Sequence, residues 1–236
     1  MFYAGFFRWT GRIISEYYKQ ILLGVGRTLL LSIVGTVVGF ILACLFSYIK
    51  TKKQPKIVGK ILKVIVNVYV SVIRGTPMMV QALIFYYSFK TIGINWDPLT
   101  SGLFTISLNT TAYLTEVLRG GIESVDIGQY EAARSIGMSD FKAMILIVYP
   151  QAIKNSMASI GNEFIVNIKD SSVLNVIGVI EVYNACMMAG NKYYKVVEAM
   201  CIAAVIYLIL TLTSSFILKK IEKKLGNPTK EIVSSN

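Results

Sequence analysis

Five apolar stretches, each long enough to cross a lipid bilayer, constrain this chain more than any other feature. They run over about residues 21–49, 57–89, 99–119, 143–168 and 195–218, and a spanning helix needs about 20 largely apolar residues. Hydrophobic side chains make up 54% of the 236 residues and charged ones only 16%, against about 25% charged in soluble domains. A soluble fold is excluded, and the pattern predicts an all-α integral membrane protein with five transmembrane helices. The formal charge of +11 would point to nucleic acid in a soluble protein. Here it reads as basic residues flanking the spans, where they meet lipid headgroups and set orientation, so no nucleic acid partner is expected.

The basic residues also give a topology. Lys50, Lys52, Lys53, Lys56, Lys60 and Lys63 lie between the first two stretches, and Lys219, Lys220, Lys223 and Lys224 follow the last. Both groups belong on the cytoplasmic side. Five crossings then put the N-terminus outside, the C-terminus inside, the connection 90–98 outside and the segment 120–142 in the cytoplasm. Residues 1–20, where aromatics mix with Arg8, Arg12 and Lys19, read as an interfacial amphipathic segment. Residues 21–218 read as the membrane domain, and 219–236 as a basic tail.

The second stretch exceeds one span, and Arg74-Gly75-Thr76-Pro77 lies in its middle. Proline removes a backbone donor and glycine loosens the chain, so a kink is expected there. Cys44, Cys186 and Cys201 sit in apolar surroundings in a chain without histidine. They read as small buried apolar residues, and no metal site is expected.

The cytoplasmic segment reads as two short helical pieces: Ser124 and Asp126 can cap the first, Gly137 can stop it, and Ser139 can restart the chain. Ala132, Ala133 and Ile136 would form a small, mildly apolar face that a partner can approach closely. Taken alone, these residues are equally compatible with an ordinary surface helix.

A resemblance favours a partner. Glu131-Ala132-Ala133, Gly137, Ile147 and Pro150 resemble the EAA motif of ATP-binding-cassette (ABC) importer permeases, with Tyr149 where that family usually has leucine. "IRGTPMMVQ" at 73–81, "YLTEVLRGGIESVDIGQYEAARSIGMS" at 113–139 and "GNEFIVNIKDSSVL" at 161–174 look like signatures of its polar amino acid branch. The resemblance implies a type I importer permease in the bacterial cytoplasmic membrane. Glu131, Ala132, Ala133, Arg134, Ile136 and Gly137 would then form the docking segment for a separate cytoplasmic ATPase. It further implies a pair of permease chains, either two copies of this one or this one with a relative, and an extracytoplasmic amino-acid-binding protein. The chain contains no GxxxxGK[ST] phosphate loop, so it is expected to be non-catalytic, with ATP and magnesium held by the partner ATPase.

Charged groups inside spans are costly and usually face a cavity or a partner. Arg74, Glu116, Glu163, Lys169 and Asp170 are the candidates. Glu163 falls about 18–20 Å along the fourth helix if that helix begins near Pro150, which is close to mid-membrane. It can pair the ammonium of an amino acid or a cationic side chain, or else form a salt bridge with Arg74 or Lys169 of either copy. Arg74 and the backbone near Thr76 can receive the carboxylate, and Asn67, Asn109, Tyr113, Asn162 and Asn167 offer neutral hydrogen bonds. Glu116 is expected to pair with Arg119 three residues on. Phe85, Tyr86, Tyr87 and Phe89 read as an interfacial aromatic belt. One deep glutamate among several amides points to arginine, lysine or histidine as solute. The rival reading is an ion-coupled carrier that works without an ATPase, although such carriers often show an internal repeat and none is visible here.

Overall fold

The computed structural model describes residues 2–51 and 57–225. Lys52, Lys53 and Lys56, and the part of the basic tail beyond residue 225, lie outside the described residues. Among those described the chain is helical throughout: α1 (Phe2–Thr51), α2 (Ile57–Gly75), α3 (Met78–Thr91), α4 (Pro98–Glu123), α5 (Ile127–Ser135), α6 (Asp140–Ala143), a π-helical turn (Met144–Val148), α7 (Tyr149–Asp170), a 3₁₀ turn (Ser171–Ile177), α8 (Val182–Tyr193) and α9 (Val196–Leu225).

α1 is one 50-residue helix. The division expected near residue 20 is not a break in the backbone, because no proline interrupts α1. Among the described residues, two helices, Gly5–Thr51 and Val196–Lys224, are long and apolar enough to cross a membrane alone, and the pair Asp140–Ile177 with Val182–Tyr193, bent by 53°, would make a third. Both long helices leave large apolar side chains exposed, among them Leu22, Ile33, Ile41 and Leu45 on α1 and Leu208, Leu212 and Phe216 on α9. So much exposed apolar surface suits lipid as the surrounding solvent.

α4 occupies the centre, packing along α1 on one side and α7 on the other. Its sequence is rich in hydroxyls, yet Thr105, Thr110, Thr111 and Thr115 are fully buried. Burial is possible because Thr105, Thr111 and Thr115 donate to the carbonyls of Ser101, Ser107 and Thr111, four residues back, at 2.6–2.8 Å. Asp97 caps its start, accepting the Thr100 amide at 2.8 Å and the Thr100 hydroxyl at 3.1 Å. The Thr100 amide, and then its hydroxyl, hold the Asp97 carboxyl below its ordinary value of 3.8. A carboxyl depressed in the folded state contributes stability above its unfolded value and loses it as pH falls through the folded one. Asp97→Ala is therefore expected to cost about 1 kcal/mol at neutral pH. The gap from wild type in thermal unfolding should close as pH falls below about 4.

The second apolar stretch breaks where expected, between Gly75 and Met78. Gln81 satisfies the carbonyls this frees: its Nε2 donates to Ile73 O at 2.8 Å and Thr76 O at 3.0 Å, while Asn109 Nδ2 donates to Gln81 Oε1 at 3.1 Å. Phe85 and Phe89 pack edge-to-face or tilted against Phe104 and Trp96 where α3 meets α4, with ring centroids 4.6–5.4 Å apart.

Residues 171–193, left without structure by the sequence reading, form the 3₁₀ turn and α8. α8 packs Val182, Cys186 and Ala189 against Ile13 and Ile21 of α1 and Ala199 of α9. Of the three cysteines only Cys186 is buried; Cys44 is half-buried and Cys201 is exposed on α9, contrary to expectation.

Candidate solute site and docking segment

Three elements carry the residues expected to meet solute. The α2–α3 break supplies Arg74 and Thr76, α4 supplies Tyr113, and α7 supplies Asn162, Glu163 and Asn167. The Arg74 guanidinium lies over the Tyr113 ring at 5.4 Å, the range of a cation–π contact. Both line an open cavity of about 470 Å³ together with Lys50, Ser71, Gly75 and Glu116. Glu116 accepts from Lys50 at 2.5 Å and from Arg119 at 3.0 Å, and Arg119 also pairs with Glu123 at 2.6 Å. The expected Glu116–Arg119 pair is thus part of a chain of charges that ties the Lys50 end of α1 to α4.

Glu163 is half-buried on the helix that packs along α4. Among the described residues it makes no salt bridge, to Arg74, Lys169 or any other basic group. Asn162 beside it is exposed, and Asn67 on α2 is half-buried. Asn167 belongs elsewhere: it is buried, accepts from the Thr110 hydroxyl at 3.1 Å and donates to Thr36 Oγ1 at 3.0 Å. Its amide joins α7 to α4 and α1, which corrects its placement among the solute contacts. Asn109, held by Gln81, is likewise engaged. The Thr76 hydroxyl donates to Val72 O at 2.8 Å and accepts from Gln81 at 2.9 Å, so it supports the break.

Just beyond α4, the segment expected to dock folds as its local sequence dictates. Asp126 caps α5 by accepting the Gly128 amide at 2.7 Å. Ser124 instead closes the end of α4, donating to Gly121 O at 2.7 Å. Gly137 adopts φ +84°, the left-handed conformation that glycine takes at helix ends. Ser139 then caps α6 by accepting the Lys142 amide at 3.3 Å. Glu131, Ala132 and Arg134 are exposed, and Ile136 is 81% exposed, whereas Ala133 is buried. The three small and apolar residues do not share one face: Ala133 packs inward and Ala132 and Ile136 face outward. Arg134 Nη1 donates to Met138 O at 2.5 Å, closing the turn around Gly137. Behind α5 lies a cavity of about 670 Å³, lined in part by Thr51, Tyr130, Glu131, Arg134 and Met144.

Sequence reasoning missed Gln81, Tyr149 and Glu181. Glu181 is fully buried and caps α8, accepting the amides of Tyr183 and Asn184 at 3.0 Å each, the Tyr207 hydroxyl, and the Thr28 hydroxyl at 3.4 Å.

Long helices with exposed apolar surface, a half-buried carboxylate on α7 and an exposed helix on a glycine turn are features that suit a transport subunit in a membrane. The chain belongs to the family described as binding-protein-dependent transport system inner membrane component, whose model matches residues 35–227, and it is a permease of the ABC importer type. It is 34% identical over 216 residues to the putative glutamine transport system permease protein GlnP of Rickettsia felis, covering 90% of this chain and 97% of that one. It is 35% identical over 206 residues to the arginine transport system permease protein ArtQ of Bacillus subtilis, covering 87% and 92%. The solved structure of an amino acid ABC transporter with histidines matches with a TM-score of 0.79 at 34% identity, covering 89% of this chain and 96% of that one.

Proposed function

We propose that this chain forms half of the translocation pathway of an ATP-driven amino acid importer and that its solute is a basic amino acid. Glu163 carries the reading of the solute: a half-buried carboxylate with no salt bridge among the described residues can take a cation brought by something else. An ammonium or guanidinium of the solute is such a cation, while Arg74, held beside Tyr113, is free to receive a carboxylate. The names of the similar permeases include both glutamine and arginine transporters, and Glu163 favours the cationic solute.

The energy would come from a cytoplasmic ATPase docking on α5 through Glu131, Ala132, Ile136 and the Gly137 turn, with Arg134 bracing the turn and Ala133 seating the helix. A second copy or a related permease would complete the pathway around a two-fold axis, and an extracytoplasmic binding protein would deliver solute. In this reading the chain crosses the cytoplasmic membrane five times, with its N-terminus outside and the Lys50 and Lys219 ends inside. The ion-coupled carrier reading loses ground because the family is binding-protein-dependent.

The test is uptake of radiolabelled arginine and glutamine into proteoliposomes that hold the chain with its ATPase and binding protein. Uptake should require ATP. Glu163→Gln should lower arginine uptake at least about tenfold, the effect of losing one charge-assisted hydrogen bond, and leave glutamine uptake nearly unchanged. Equal losses for both solutes would refute the basic-solute assignment, and uptake driven by an ion gradient without ATP would restore the carrier.

A further inference from the structure

Between the docking helix and α7 the chain reads "DFKAMILIVYPQ" from residue 140 to 151. Pro150 has no N–H, so the Leu146 carbonyl loses its α-helical donor. The backbone answers with a wider turn: the Tyr149 amide reaches back five residues to Met144 O. Gln151 Nε2 adds a bond to Ile147 O at 2.8 Å. The result is the π-turn Met144–Val148, which holds one residue more than an α-helix would. Single π-turns inside α-helices are frequent at functional sites.

The flanks of this turn are both fastened to one stretch of α1. On the docking side, Asp140 accepts from the Tyr130 hydroxyl of α5 at 2.6 Å and from the Tyr48 hydroxyl of α1 at 3.2 Å. On the α7 side, the Tyr149 hydroxyl donates to Cys44 O at 2.5 Å and lies 2.8 Å from Ser47 Oγ. Met144 and Val148 pack inward against Ile122, Val125 and Tyr130, whereas Ile145 and Leu146 are exposed. Displacement of α5 therefore reaches Asp140 through the short connection around Gly137 and through the Tyr130 hydrogen bond. Beyond the π-turn, the next fixed point is Tyr149, at the head of the helix that carries Glu163.

We infer that the π-turn Met144–Val148 is the hinge that converts movement of the docking segment into movement of α7, with Tyr149 as its pivot on α1. A surplus residue suits that task. When it shifts along a helix, each residue it passes turns by about 100° around the axis, so the turn has discrete alternative arrangements that an intact α-helix lacks. Pro150 sets the resting position of the surplus residue, because there the helix has no bond to lose.

This inference rests on the docking reading, and its test separates the two. Deleting Leu146 removes the surplus residue while both flanks keep their helical phase, and the side chain lost is an exposed one. In proteoliposomes containing the whole complex, ATP hydrolysis and solute uptake are measured on the same vesicles, and the ATPase retained by the purified permease is quantified. The deletion should leave ATPase retention and hydrolysis within about twofold of wild type and lower solute moved per ATP about tenfold. Tyr149→Phe, which keeps the ring and loses the pivot bonds, should lower the same ratio several-fold. An unchanged ratio in either variant overturns the hinge, as does a loss of uptake strictly proportional to a loss of hydrolysis. Wild-type uptake that does not need ATP would instead sink the docking reading. Glu131→Lys, expected to release the ATPase, shows what loss of docking looks like in the same assay.

Discussion

Replacing Glu181 with alanine should lower the unfolding midpoint of the detergent-solubilised chain by roughly 6–12 °C, the shift that about 3 kcal/mol produces in a chain of this size. The carboxylate accepts from two amides at the start of α8 and from the hydroxyls of Tyr207 and Thr28. Alanine leaves the buried Thr28 hydroxyl and the half-buried Asn184 amide and Tyr207 hydroxyl without this acceptor, while the Tyr183 amide keeps the Tyr207 oxygen at 3.2 Å, and each donor left unmet costs about 1–3 kcal/mol. Part of that loss is offset, since the variant no longer has to bury a charged group, which is why the expected total stays below the simple sum. Glu181→Gln retains one acceptor oxygen, and the Tyr207 hydroxyl can turn to accept from its amide, so its midpoint should fall by no more than about half as much. The site cannot relax towards α1, because a Cβ at Gly24 would already come within 2.9 Å of the Glu181 carbonyl carbon. A fall of less than about 2 °C for Glu181→Ala would mean that α8 is seated by its apolar face alone.

Glu181 also marks where the sequence stops being readable. Elements governed by neighbours in the chain were visible: the apolar runs of α1 and α9, the break at Gly75-Thr76-Pro77, and the Asp126 and Ser139 caps and the Gly137 stop that shape the segment after α4. Each of these depends on backbone chemistry within a few residues. What stayed hidden depends on partners far along the chain. Thr28 lies 153 residues before Glu181, and Thr36 lies 131 residues before Asn167, so no local pattern announces either bond. Asn167 looked available for solute because its type suits that role, and only packing reveals that both ends of its amide are occupied. The 171–193 segment was passed over since its mixed polarity fits neither a span nor a loop, and its apolar face acquires meaning only beside α1 and α9. For the candidate solute site, residue type was legible on α7, whereas the lack of a salt bridge to Glu163 among the described residues was not.

Gly120 and Gly121, adjacent in sequence, should respond to alanine in opposite ways. At Gly121 an added Cβ would fall 2.1 Å from Ser156 Oγ and 2.7 Å from the backbone oxygen of Ala152. Ser156 can turn aside at the loss of its 3.3 Å bond to Val117 O, but a carbonyl inside α7 moves only with its helix. Gly121→Ala must therefore push α7 away from α4, an overpacking strain of about 1–3 kcal/mol, and a larger side chain such as leucine should prevent the two helices from docking. At Gly120 nothing lies within 4 Å, and alanine there gains the roughly 1 kcal/mol by which it surpasses glycine inside a helix. Thermal unfolding of the two variants under one condition should show Gly121→Ala below wild type and Gly120→Ala level with it or above. The comparison bears on transport as well as stability. α4 holds Tyr113 and α7 holds Glu163, so a forced separation at Gly121 shifts the two faces of the candidate solute site relative to each other. Gly121→Ala should thus also weaken solute uptake in vesicles where the folded fraction is matched to wild type. If both alanine variants unfold and transport alike, α4 and α7 slide past each other freely at this level, and the spacing of the solute site is set elsewhere along the pair.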